Sequence, residues 1–178
     1  DRQITSYVYN NYYRTTNGSS FSTVSGSNNS GSFVNPAELD DSSGILYSNG
    51  GGTTLVRWSN VFGSTIRSNI TLNGIVGSIT HLKISPNNKK ILYIGTNSGW
   101  VYRIKNPDTV TVPFTPDTLQ LSSFGGRVSC IDIRKSANGI DDTILVTMSN
   151  YNLNNSVLCT NNGSVSKPTW VDIDDNST

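Results

Sequence analysis

The chain is 178 residues long, with 14% charged residues and a formal net charge of +1. A charge this small sets up no field that would gather nucleic acid or an anionic membrane surface, and no run of about 18 apolar residues is present to cross a bilayer as a helix. Ser, Thr, Asn and Gly fill most polar positions, a balance that suits a β-rich protein with many turns and is common in secreted and surface proteins.

The first pattern along the chain is incomplete. Strands are predicted at 4–9 and 12–16, a turn at Asn17-Gly18 and a third strand at 21–24, but the strand that should come first is missing. No signal-peptide pattern precedes this strand-like opening, which raises the expectation of a processed or excised piece of something longer. A second unit runs over about 33–72, with strands at 45–48 and 54–58; its opening strand is poor because Pro36 removes a ladder donor.

The third unit is the clearest. Residues 79–84 alternate, Ser85-Pro86-Asn87-Asn88 turns the chain, and 91–94 is the continuous apolar run of a strand covered on both faces. Thr96-Asn97-Ser98-Gly99 is a hairpin signal, 100–104 alternates again, and an outer strand is expected within 118–122. A fourth unit has strands at 128–133, 144–148, 156–160 and 169–173.

Aligning the units on their third strands gives Tyr13-Arg14-x-x-Asn17, Val56-Arg57-x-x-Asn60, Tyr102-Arg103-x-x-Asn106 and Leu158-Cys159-x-x-Asn162. The recurrence is near the roughly 40–50-residue period of four-stranded propeller blades, and the last interval is wider because the turn over 135–142 is longer. The predicted fold is therefore all-β: a partial β-propeller of about four antiparallel blades, at about 1–28 (incomplete), 29–75, 76–124 and 125–178. A sandwich is the competing all-β fold, and it needs no such repeat.

Two stretches resemble degenerate Asp-box hairpins of the pattern S-x-D-x-G-x-x-W: Thr15 to Phe21, with Asn17 at the acidic position, and Thr160 to Trp170, with Asn162 there. Such hairpins punctuate sialidase-type and sortilin-type propellers. Residues 79–86, 92–96, 128–133, 145–151 and 169–173, with 35–41 and 45–48 upstream, resemble propeller segments of large secreted Bacteroidetes proteins that carry a type nine secretion sorting domain. The resemblance implies a propeller, export across both bacterial membranes to the outer surface or the medium, and a place in a multidomain protein. It implies no activity.

Among candidate sites, Arg14, Arg57 and Arg103 recur at one strand position, as an arginine cluster for a carboxylated sugar would require. The same recurrence is expected of blade packing, in which each arginine lays its methylenes on a neighbouring sheet while its head reaches water. Glu38 is the only glutamate, and the pairs Asp40-Asp41, Asp141-Asp142 and Asp174-Asp175 flank turns, so two opposed catalytic carboxyls are not evident. Asp172-x-Asp174-Asp175 is a weak calcium pattern without the glycine and distal glutamate of an EF-hand loop. His81 is the only histidine, so no multi-histidine metal site and no cofactor is implied. Cys130 and Cys159 fall on the first and third strands of one unit, about 10 Å apart and beyond disulfide reach, and are expected as free, buried thiols.

The aromatics Tyr7, Tyr9, Tyr12, Tyr13, Trp58, Trp100, Tyr102 and Trp170 are expected mostly between blades, and Tyr151 and Asn152, in the Asn-rich loop 150–155, are expected as exposed contacts. The expected function is a non-catalytic scaffold or platform for a protein or glycan partner, with Arg57 and Arg103 as further candidate contacts. The alternative is part of a sialidase- or glycosidase-like hydrolase whose acids lie on other blades.

Overall fold

A computed structural model describes residues 1–24, 30–120, 122–135, 142–149 and 155–174. The fold is all-β: among the described residues there is no helix, and fifteen strands form four antiparallel sheets. The first sheet has three strands, β1 (Gln3–Ser6), β2 (Tyr12–Thr15) and β3 (Ser22–Thr23). The second has β4 (Ala37–Asp40), β5 (Ile45–Gly51), β6 (Thr54–Ser59) and β7 (Ile66–Thr71). The third has β8 (Ile79–Ile84), β9 (Ile91–Thr96), β10 (Val101–Lys105) and β11 (Asp117–Thr118). The fourth has β12 (Arg127–Arg134), β13 (Thr143–Ser149), β14 (Val157–Thr160) and β15 (Val171–Asp172).

Every sheet is an up-and-down meander in chain order, which short turns between antiparallel neighbours allow. Of the strand expected within 118–122 only Thr118 is in a strand, the two-residue β11, and 121 lies outside the described residues; Pro36 delays the opening strand of the second sheet without abolishing it, since β4 starts at the next residue.

Period-two alternation places apolar side chains on both faces of the inner sheets, and three shared cores result. Tyr12 and Val24 of the first unit pack with Leu46, Val56 and Trp58 of the second. The opposite face of the second sheet offers Tyr47, Leu55 and Ile70 to Leu82, Ile84, Leu92, Ile94, Tyr102 and Ile104 of the third. Tyr93 and Val101 on the other face of the third meet Val128, Ile131, Ile133, Ile144, Val146 and Leu158 of the fourth. Among the described residues no core joins the first sheet to the fourth.

The aromatic expectation holds in part. Tyr12, Trp58 and Tyr102 are buried between sheets, but Tyr7 is 68% exposed, and Tyr9 and Tyr13 also lie at the surface. Among the described residues the first sheet has a packed neighbour on one face only, and Tyr13 points to the other side. The two cysteines are free and sit on the first and third strands of the fourth sheet with β13 between them, as expected. Their burial was not as expected: Cys130 is exposed and Cys159 half-buried, because both belong to the face of β12–β14 that, among the described residues, no other sheet covers.

Candidate binding groove at the first strands

The recurring arginines join one sheet to the next. Arg14 donates from Nη1 to the backbone carbonyls of Val61 and Gly63, in the loop after β6. Arg57 donates to Pro107 (3.1 Å) and Val110 (3.3 Å), in the loop after β10, and Arg103 donates to Gly163 (2.7 Å) and Val165 (3.0 Å), in the loop after β14. Each acceptor pair begins at the residue following the recurrent Asn of the next unit, so the sequence register is a physical contact register. The expectation that the guanidinium heads reach water fails most clearly at Arg103, whose side chain is 1% exposed and also forks onto Asp117 Oδ2 at 2.8 Å. Burial alone would raise the Asp117 carboxyl, but the hydrogen bond and charge of Arg103, with Lys105 nearby, hold it below the usual carboxylate range.

The recurrent asparagines serve two purposes. Asn60 and Asn106 adopt left-handed backbone, at φ 56° and 51°, a conformation Asn tolerates better than most residues. Asn17 and Asn162, in the two Asp-box-like stretches, instead accept side-chain bonds from Thr15 (3.0 Å) and Thr160 (2.7 Å). Turn amides of Ser19 and Thr169 complete them.

A tyrosine–carboxylate pair lies between the third and fourth sheets. Tyr93 donates its hydroxyl to Asp142 Oδ2 at 2.6 Å, while Ser85 and Asn87 donate to Oδ1, each at 2.7 Å. Asp142 is thus more than the turn residue its sequence position suggested. Tyr93 is 0% and Asp142 1% exposed, so a substrate has no path to them in this conformation. Burial and the neighbouring carboxylate both push the Tyr93 phenol up, so it stays protonated and donating.

The accessible chemistry gathers where the first strands of three sheets meet. Ile84 N–H donates to Glu38 Oε1 (3.2 Å), Lys83 pairs with Asp132 (3.2 Å), and Thr80 Oγ1 donates to the Val128 carbonyl (2.7 Å). These contacts tie β4 to β8 and β8 to β12. Beside them lies an open groove of about 450 Å³, lined by Pro36, Ala37, Thr80, His81, Arg127 and Ser129, with Val34, Asn35 and Leu82 completing its wall. Two β-bulges shape it. The ladder skips Thr80 in β8 and Ser129 in β12, at equivalent points of the two sheets. A bulge re-aims side chains, and here it brings both hydroxyl-bearing residues into the groove lining.

His81 Nε2 lies 3.1 Å from the Ile131 carbonyl, which only accepts, so the proton is on Nε2 and Nδ1 is left as an acceptor. Burial holds the imidazole below its ordinary value, against the opposing pull of that hydrogen bond. Among the described residues, the side chain of Arg127 makes no hydrogen bond or ion pair, although it lines the groove. Nothing in the sequence singles this residue out, because Arg127 follows a Gly-Gly turn and sits at no position that recurs between the units.

A second cleft, of about 370 Å³, runs beside Leu119, Phe124, Lys167 and Trp170. Its aromatic pair is committed to packing: Trp170 stands edge-on to Phe124 at 5.1 Å and spends its indole N–H on the Leu119 carbonyl.

The structure does not bring the sequence-predicted contacts together. Arg57 and Arg103 lie in successive sheet interfaces, and Tyr151 and Asn152 lie outside the described residues. No group of three or more His, Cys, Asp or Glu able to hold a metal ion occurs among the described residues, and Asp175 of the calcium pattern is outside them. Among the described residues no helix is long and apolar enough to cross a membrane. The chain matches no protein-family model and no curated protein.

Proposed function

We propose that this chain is an arc of a β-propeller in a secreted or cell-surface bacterial protein, and that it serves as a non-catalytic platform for a protein or glycan partner. Three features support the propeller reading: four meander sheets in sequence, first strands side by side, and an arginine at one strand position tying each sheet to the loop of the next. The observation that carries the platform reading is the groove at the first strands, which is open and polar and retains an unspent guanidinium. Export rests on the likeness to type nine secretion propellers and on the weakly charged, Ser/Thr/Asn/Gly-rich composition.

One observation favours the hydrolase reading. A tyrosine nucleophile needs a carboxylate partner and cationic neighbours, and Tyr93, Asp142 and Arg103 supply those types in one place. Their burial weighs against it, and the platform reading is preferred. Incubating the folded protein with sialosides and with plant and host glycans separates the two, and no turnover is expected. Robust hydrolysis abolished by Tyr93→Phe, with the fold intact by circular dichroism, would reverse the preference.

A further inference from the structure

Among the described residues Arg127 is the one arginine lining the groove and no carboxylate lines it, while the acids further along the same strands are engaged. Asp132 is paired with Lys83, and Glu38 accepts the Ile84 amide. An unspent guanidinium in a groove that no described carboxylate lines is complementary to an anion, and its planar fork matches a carboxylate. His81 presents a neutral ring whose Nδ1 accepts, which fits a donor attached close to that carboxylate, such as a peptide N–H. Among the described residues the wall is polar at Asn35, Thr80 and Ser129 and aliphatic at Val34, Pro36 and Ala37, and no Phe, Tyr or Trp lines it. Among the described residues a sugar finds no Phe, Tyr or Trp to stack on, whereas an aliphatic side chain finds an apolar strip at Val34, Pro36 and Ala37. Both β4 and β8 are edge strands of their sheets, as an extended backbone would need to lie alongside.

Resting on the platform reading, we infer that the groove receives the C-terminal carboxylate of a peptide that ends in an aliphatic residue. The carboxylate sits on Arg127, the last side chain lies on Val34 and Pro36, and the last amide faces His81. The volume of about 450 Å³ is enough for one or two residues and lies within the range of ordinary ligand sites.

The test is a titration of the isotope-labelled protein, followed by amide and imidazole resonances, with four probes: acetyl-Gly-Gly-Val as the free acid, the same peptide amidated, glucuronate, and glucose. The free acid should move the resonances of Thr80, His81 and Ser129 and bind about tenfold or more tighter than the amide, with a similar loss on Arg127→Gln. Arg134→Gln, at the far end of the same strand and outside the groove, should bind as the unaltered protein does. Equal binding of the acid and the amide, or tighter binding of glucuronate than of the peptide, overturns this inference and leaves the platform reading standing. If none of the four probes moves a groove resonance, both fall.

Discussion

At the scale of single residues, the same side chain has different consequences according to what covers it. Arg103 is sealed and satisfies two carbonyls and a carboxylate, so Arg103→Ala should lower the unfolding free energy by about 2–4 kcal/mol, read from urea denaturation. Lysine should recover only part of that, since a single ammonium cannot fork across both sheets. The two titratable groups at the first strands act with opposite signs. His81 takes its proton less readily folded than unfolded, so its contribution is complete above its ordinary value of 6.5 and is lost as the pH falls through the lower folded value. The loss of thermal stability between pH 7 and pH 5 should therefore be smaller in His81→Gln. Glu38 is raised, chiefly by burial, so its charged form costs stability at neutral pH and its protonation relieves that cost. Glu38→Gln, which keeps an acceptor for the Ile84 amide, should melt higher at pH 7, with the difference closing as the pH falls from the raised folded value to the ordinary 4.5.

At the scale of strands, most of the ladder was legible because alternation and turn chemistry are local. Residues 79–84 and 91–94 announced β8 and β9 through their own patterns, and Asn60 and Asn106 marked the repeat, although not their left-handed backbone. Burial across sheets was not legible. Nothing local distinguishes Arg103, sealed at an interface, from an arginine at the surface, or Asp142, three times hydrogen-bonded, from an ordinary turn aspartate. The bulges that shape the groove were equally hidden, since a skipped residue shows only when its partner strand is known. Gly95 illustrates the same limit. A Cβ there would meet Val128 Cγ1 at 2.3 Å, so β12 nests against β9 only because the side chain is absent. Gly95→Ala should push the third and fourth sheets apart and cost about 1–3 kcal/mol, measured by the same denaturation.

At the scale of the molecule, the cores form a row of nearest-neighbour contacts, the condition under which stability divides into units and interfaces. Weakening one interface should therefore loosen one neighbour more than the rest. In Arg103→Ala, amide exchange should accelerate in β12–β14 while β5 and β6 keep their protection; uniform acceleration would show a single cooperative unit instead. The arginine contacts also give the row a direction. Each interior stretch from one arginine to the next carries a donor toward its successor and an acceptor loop for its predecessor, like couplings on identical railway wagons. Copying residues 58–103 in tandem would insert a unit already fitted at both ends, so the fold can lengthen by duplication without inventing a new interface. Cys159 breaks that rule, because a thiol cannot fork onto two carbonyls, so any contact the fourth unit makes toward a successor needs a different donor.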